Sequence, residues 1–234
     1  MNFGVLLAGG RGERIKSIGV PKQFAEVGGK PLFAYALEAL GKCAAIDVIC
    51  VVTFSERQEE IKKHAEEFTQ KIIFAEPGKS RQHSVLSGLE AIEREFAINQ
   101  NDNVVVHDAA RPLATETDIE NCIFACKDFD GATPAIPPSD TIYMSDNGVT
   151  IGQILIRDKL FAGQTPECYN LVKYLAAFRR LSDGEIEKIR GGSELAFLSG
   201  MNIHLYPGNP LNIKITTDFD LKLLQFLIEE REKT

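Results

Sequence analysis

Three glycines in four positions, Gly9, Gly10 and Gly12, stand inside the stretch VLLAGGRGERI (5–15), after an apolar run and among Arg11, Arg14 and Lys16. Glycines packed this closely let backbone N–H groups approach an anion, and the cations beside them add charge; an ordinary strand-to-helix turn would use the same residues. Two familiar phosphate loops fail here: no Gly-Lys-Ser/Thr follows for G-x-x-x-x-G-K-[ST], and G-x-G-x-x-G started at Gly10 breaks at Ile15. Lys22 comes next, between Pro21 and Gln23, where a stiffened segment can hold an ammonium against polyphosphate as a point charge. Further on, VVVHDAARP sets His107, Asp108 and Arg111 directly after an apolar run. An Asp so placed can hold a hydrated Mg²⁺ or accept a hydroxyl, and the Arg can clamp a phosphate. His107 reads more readily as a satisfied core or turn residue than as a general acid-base group.

The elements that must position these groups alternate. FGVLLA (3–8), IDVICVVT (46–53), KIIFA (71–75) and NVVVHD (103–108) have the continuous apolar, β-branched character of buried parallel strands. Amphipathic helices are expected between them, at about 31–43, 56–69, 81–96 and 117–127, the third capped by Ser80. The alternation predicts a three-layer α/β sandwich with ligands beyond the carboxyl ends of the strands, where the glycine stretch and HDAARP both fall. Residues 137–160 break the pattern: DTIYMS, Asp146-Asn147-Gly148 and VTIGQILIR predict a hairpin with a type I′ turn, projecting as a β-arm. A helix near 170–181, strands around 202–206 and at NIKI (212–215), and a final helix from about 218 opened by Thr217 and Asp220 complete the expected elements.

The 234 residues, 44% of them hydrophobic, fit one domain covering 1–234. A net charge of -7 with both signs interspersed leaves no footprint for nucleic acid or an anionic membrane. No apolar run approaches the roughly 20 residues of a membrane span and the start lacks a signal-peptide order, so a cytoplasmic location is expected. The five cysteines, Cys43, Cys50, Cys122, Cys126 and Cys168, are odd in number and lie in apolar contexts, which predicts buried free thiols. Cys122 and Cys126 sit four apart without further ligands at zinc spacing.

Taken in order, LAGGRGERI, PKQF, GKSRQHSVLSGL, VHDAARP, SDTI, LIRDKLFAGQTPECY and NIKITT resemble, over nearly the whole chain, the polyol-phosphate cytidylyltransferases. That family includes the enzymes acting on 2-C-methyl-D-erythritol 4-phosphate and on ribitol 5-phosphate. The Leu-Ala-Gly-Gly opening and GQTP look more like the ribitol-phosphate branch. The resemblance implies a mostly parallel, Rossmann-like nucleotidyltransferase sheet. It implies a CTP triphosphate cradle at Ala8, Gly9, Gly10 and Gly12 with Arg14 and Lys22, and contacts to cytosine and ribose from Gly78, Arg81 and Ser84. Asp108 and Arg111 would lie near the metal, the ribose and the polyol phosphate, with Asp108 the carboxylate nearest Mg²⁺ or another divalent cation. Lys214 matches a second lysine near the reacting phosphate. Thr141 and Arg157 match an arm that reaches across a homodimer to complete the partner's polyol-phosphate site.

One departure affects the acceptor. The family carries a Thr-Asp pair at a fixed distance before the NIK lysine, and ungapped counting finds Arg190-Gly191 there, followed by Gly192, Ser193 and Glu194. Either a cation replaces a hydroxyl at the acceptor, or the loop is shifted and Ser193 and Glu194 stand in for the pair. A hexose 1-phosphate nucleotidyltransferase using another base and a non-catalytic nucleotide-binding regulator remain as alternatives, the second weakened by the presence of Arg14, Lys22, Arg111, Arg157 and Lys214.

Overall fold

A computed structural model describes residues 1–10 and 19–232. Its elements run β1 (Asn2–Leu7), β2 (Glu26–Val27), β3 (Lys30–Pro31), α1 (Leu32–Lys42), β4 (Val48–Val52), α2 (Gln58–Lys63), β5 (Lys71–Ala75), α3 (Arg81–Glu95), β6 (Asn103–Asp108) and α4 (Glu116–Ala125). They continue with β7 (Gly131–Ile136), β8 (Tyr143–Met144), β9 (Gln153–Ile154), β10 (Ala162–Gly163), β11 (Glu167–Asn170), α5 (Leu171–Arg179), α6 (Asp183–Lys188), α7 (Gly192–Leu198), β12 (Ile203–Pro207) and α8 (Asp218–Glu232).

The apolar runs form the centre of the main sheet. β6, β1, β4 and β5 lie side by side and parallel, with Leu7 level with both Asp108 and Val52, and Val52 level with Ala75. β11 enters antiparallel between β6 and β7, β10 continues along the same edge of β7, and β12 pairs parallel on the other. Alternate side chains of each strand feed opposite layers. Val5, Cys50, Val52 and Val106 pack with α3 and α5 residues such as Val85, Leu89, Leu175 and Phe178. Leu6, Ile49, Val51 and Val105 pack with Leu37, Leu40 and Ile119 of α1 and α4. This is the expected three-layer sandwich with a mostly parallel sheet. All five cysteines are buried and free, and among the described residues no helix is long and apolar enough to cross a membrane.

Three local expectations are corrected. α2 is six residues long, not fourteen; Phe68 turns back onto α1, where a Cβ at Gly41 would stand 2.7 Å from its ring. NIKI forms no strand and is an extended segment held by single bonds, such as Ile215 N–H to the Ala110 carbonyl at 2.8 Å. The arm is not closed by a two-residue turn: Tyr143 pairs Ile154 and Met144 pairs Gln153, so 145–152 form the loop. Within it the Asn147 side chain accepts from the N–H groups of Val149 and Thr150, at 2.9 and 3.0 Å. That Asx turn leaves the positive φ to Gly148 alone. β7, β11, α6 and α7 carry weak local signals. β7 contains Gly131 and Pro134, and β11 is four residues with polar ends.

Candidate active site

The parallel strands end at one level, and the turns leaving them enclose a cleft of about 920 Å³. One wall is the first loop. Ala8 prolongs the ladder by donating to the Val52 carbonyl at 2.9 Å, and Gly9 then passes so close to the opposite loop that a Cβ there would stand 2.3 Å from Pro77 Cβ. Gly12 and Arg14 of the expected cradle, with Arg11 and Lys16, lie outside the described residues. The facing wall is the turn from β5 into α3, where Ser80 caps the helix as expected, accepting from His83 N–H. The Gly78 N–H donates to Ser84 Oγ at 3.1 Å, and that hydroxyl donates to the Ser80 carbonyl at 3.0 Å. Gly9, Gly10, Lys22, Gly78, Arg81, Ser84, Asp108 and Lys214 all line the cleft.

Asp108 organises the floor. Its Oδ1 accepts from Arg81 Nε at 3.0 Å and lies 2.9 Å from the second guanidinium nitrogen; its Oδ2 accepts from Lys214 Nζ at 2.7 Å. Burial would raise the Asp108 pKa, but the charges of Arg81 and Lys214 outweigh it and hold the carboxylate ionised, well below the usual range. Arg81 is shared with Glu167, 3.6 Å away at the start of β11. Burial raises the Glu167 pKa against the pull of Arg81. Lys22 reaches the same region from the other side, donating to the Ile215 carbonyl at 2.9 Å. The Lys214 ammonium and the Arg81 guanidinium thus meet on one carboxylate at the strand ends, with the Lys22 ammonium lining the same cleft, an arrangement suited to a polyanion.

Other expected residues stand apart. Arg111 does not line the cleft: it donates to the Asn212 carbonyl at 2.7 Å and approaches that of Gly163 at 3.5 Å, so in this structure it ties the segment before Lys214 to β10. Thr141 and Arg157 are exposed on the arm and outside the cleft of their own chain, Arg157 donating to the Ser139 carbonyl at 3.2 Å. His107 is a core residue, fully buried between Thr165 Oγ1 at 3.1 Å and the Arg111 carbonyl at 3.2 Å, with its pKa lowered by burial to about 4. Arg190 is exposed and does not line the cleft. Its N–H donates to Glu194 Oε2 at 2.5 Å, and the following Gly192 is pressed against Glu167, whose Oε2 a Cβ would meet at 2.6 Å.

Sequence reasoning missed three participants. Gln23 is buried behind the first loop and hydrogen-bonds it twice; its place in PKQF was the available signal. Lys79 lines the cleft and pairs with Asp183 of α6, more than a hundred positions away, and Glu167 reaches Arg81 only because β11 runs antiparallel beside β6. Neither contact has a local signature.

Residues 3–230 match the family model described as IspD: 2-C-methyl-D-erythritol 4-phosphate cytidylyltransferase. A ribitol-5-phosphate cytidylyltransferase of Lactiplantibacillus plantarum is 29% identical over 235 residues, spanning 99% of this chain and 100% of that protein. A 4-diphosphocytidyl-2C-methyl-D-erythritol synthase structure from Anaerococcus prevotii superposes with a TM-score of 0.82 at 22% identity, covering 97% of this chain and 96% of the other. The 2-C-methyl-D-erythritol 4-phosphate cytidylyltransferase structure from Thermus thermophilus gives a TM-score of 0.73 at 25% identity, with 96% and 98% covered.

Proposed function

Because the chain belongs to the IspD cytidylyltransferase family and is a nucleotidyltransferase, we propose that it transfers CMP from CTP to a polyol phosphate, with D-ribitol 5-phosphate as the acceptor. The observation that carries the reading is a cleft at the strand ends lined by Lys22, Arg81 and Lys214, with Arg81 and Lys214 paired to Asp108 at its floor. The acceptor rests on Leu-Ala-Gly-Gly, on GQTP and on the relative named for ribitol 5-phosphate.

In the reaction an oxygen of the acceptor's phosphate attacks the α-phosphorus in line, the bond to the β-phosphate bridge breaks, and pyrophosphate leaves with the electron pair. A phosphate monoester is already a nucleophile near neutral pH, so this chain needs to supply position and charge rather than a strong base. Lys214 and Lys22, side by side through Ile215, stabilise charge growing on the α-phosphate and leaving group. Arg81, held by Asp108 and Glu167, keeps the nucleotide wall fixed against the floor.

Mg²⁺ fits the donor set. Asp108 is ionised and lines the cleft, and its Oδ2 accepts from Lys214 while keeping a second lone pair. Among the described residues no group of three or more His, Cys, Asp or Glu side chains could hold a metal by itself, which suits an ion bound through one carboxylate plus substrate phosphates. Bound there, the ion would neutralise charge on the phosphates.

The arm supports a homodimer with shared sites. Tyr143, Met144, Val149, Ile151, Ile154 and Ile156 are all exposed on a ribbon with two residue pairs, too little to be stable alone. Arg157 would then serve the partner's cleft.

The test is pyrophosphate release with each of CTP, UTP, ATP and GTP against ribitol 5-phosphate, methylerythritol 4-phosphate and other polyol phosphates. Turnover with CTP and ribitol 5-phosphate is expected. Preference for methylerythritol 4-phosphate would transfer the acceptor to the activity named in the family model, and equal use of UTP would remove the cytidylyl assignment.

A further inference from the structure

The first loop can cradle a polyphosphate only if its peptide groups turn N–H, not C=O, toward the anion. Gly10 gives no steric help, since a Cβ there would meet only Gln23 Oε1, at 3.8 Å. A glycine backbone is permissive, and a carbonyl turned into the cleft would repel the phosphates.

The restraint comes from Gln23. Its Nε2 donates to the Ala8 carbonyl at 2.8 Å and the Gly10 carbonyl at 2.6 Å, and the side chain is 3% exposed. Both partners can only accept, so the group facing them must be the NH₂, whose two hydrogens match the two acceptors. The clamp is itself anchored. Phe24 N–H donates to the Pro21 carbonyl at 2.8 Å and Ala25 N–H to that of Lys22 at 3.0 Å. Phe24 packs on Phe33 at 5.1 Å between ring centres, and the Arg57 guanidinium lies 4.7 Å from the centre of the Phe24 ring.

We propose that Gln23 is a positioning residue for the triphosphate: its carboxamide holds the Ala8 and Gly10 carbonyls back, so that the loop offers N–H groups to the anion. Gln23 acts through the loop, and its loss affects the phosphates beyond the first more than the nucleoside. The inference rests on the CTP reading, and its test separates the two.

Binding of CTP, CMP and inorganic pyrophosphate is measured by calorimetry on wild type and Gln23→Leu without acceptor, so no turnover intervenes. Gln23→Leu should weaken CTP and pyrophosphate by about tenfold or more while CMP changes less than about twofold, the order of effect of one lost charge-assisted contact. Parallel loss of all three ligands would reduce Gln23 to general scaffolding and overturn the proposal, as would unchanged CTP and pyrophosphate binding. Should Gln23→Leu fail to fold, Gln23→Met, which keeps the length and removes both donors, takes its place. Wild type that binds pyrophosphate but not CTP would sink the cytidylyl reading alone, and the pyrophosphate comparison would still decide Gln23.

Discussion

Gly9→Ala and Gly10→Ala add the same methyl group one residue apart, and the structure assigns them opposite outcomes. At Gly9 the new Cβ would stand 2.3 Å from Pro77 Cβ and 2.9 Å from Pro77 Cγ, against a carbon contact of about 3.5–4.0 Å. The loops must therefore part by more than about 1 Å, and neither yields easily. Ala8 is tied into the ladder through Val52 and, with Gly10, to Gln23; Pro77 is a rigid ring. Overpacking of this kind costs about 1–3 kcal/mol, and each kcal/mol lowers Tm by about 2–4 °C in a chain of this size. Because the displaced atoms are the two walls of the cleft, kcat/KM for CTP should fall on the order of 10²-fold, the cost of a ~1 Å misplacement. At Gly10 the Cβ meets only Gln23 Oε1 at an ordinary 3.8 Å, so Tm should stay within about 1 °C, as for an unstrained site. Thermal unfolding and pyrophosphate release on the two variants decide it. Gly9→Ala matching Gly10→Ala in both measurements would refute the close approach of the loops and the account of the cleft built on it.

Three further outcomes follow from the same structure. His107 is buried neutral with a pKa of about 4, so unfolding takes up a proton below its free value of about 6.5; its contribution is complete above that value and falls by roughly 3 kcal/mol as pH drops to 4. Urea unfolding between pH 7 and pH 4 should show a steeper loss for wild type than for His107→Gln, and equal slopes would refute it. If the proposed homodimer shares its sites, Arg157→Ala and Lys22→Ala should each be inactive alone and recover activity when mixed, since some mixed dimers would hold one site with both residues intact; no recovery after verified subunit exchange would remove the shared site. Arg190 is exposed and outside the cleft, so Arg190→Thr combined with Gly191→Asp should leave the acceptor profile unchanged, as surface changes usually do. A shift in selectivity on a polyol-phosphate panel would place Arg190 at the acceptor instead.

Local chemistry in the sequence determined the strands that build the centre of the sheet, the caps at Ser80 and Thr217, and the placing of the glycine loop and Asp108 at strand ends. Each rests on neighbours within a few residues: a continuous β-branched run, a hydroxyl before a helix, an Asp closing an apolar strand. The family resemblance added Arg81 and Lys214 to the list of candidates but could not say what they touch. Tertiary structure decided that Arg81 is shared between Asp108 and Glu167, that Lys214 rests on Asp108, and that Gln23 clasps the first loop. It also tied Arg111 to the Asn212 carbonyl, left Arg190 exposed, and replaced the expected two-residue turn of the arm by an Asx turn. The Arg81–Glu167 contact depends on β11 entering antiparallel beside β6, and the Lys214–Asp108 and Arg111–Asn212 contacts on segments more than a hundred residues apart meeting over the strand ends. A charged side chain has no local preference among distant partners; burial beside one of them, set by the packing of the whole sheet, makes the choice.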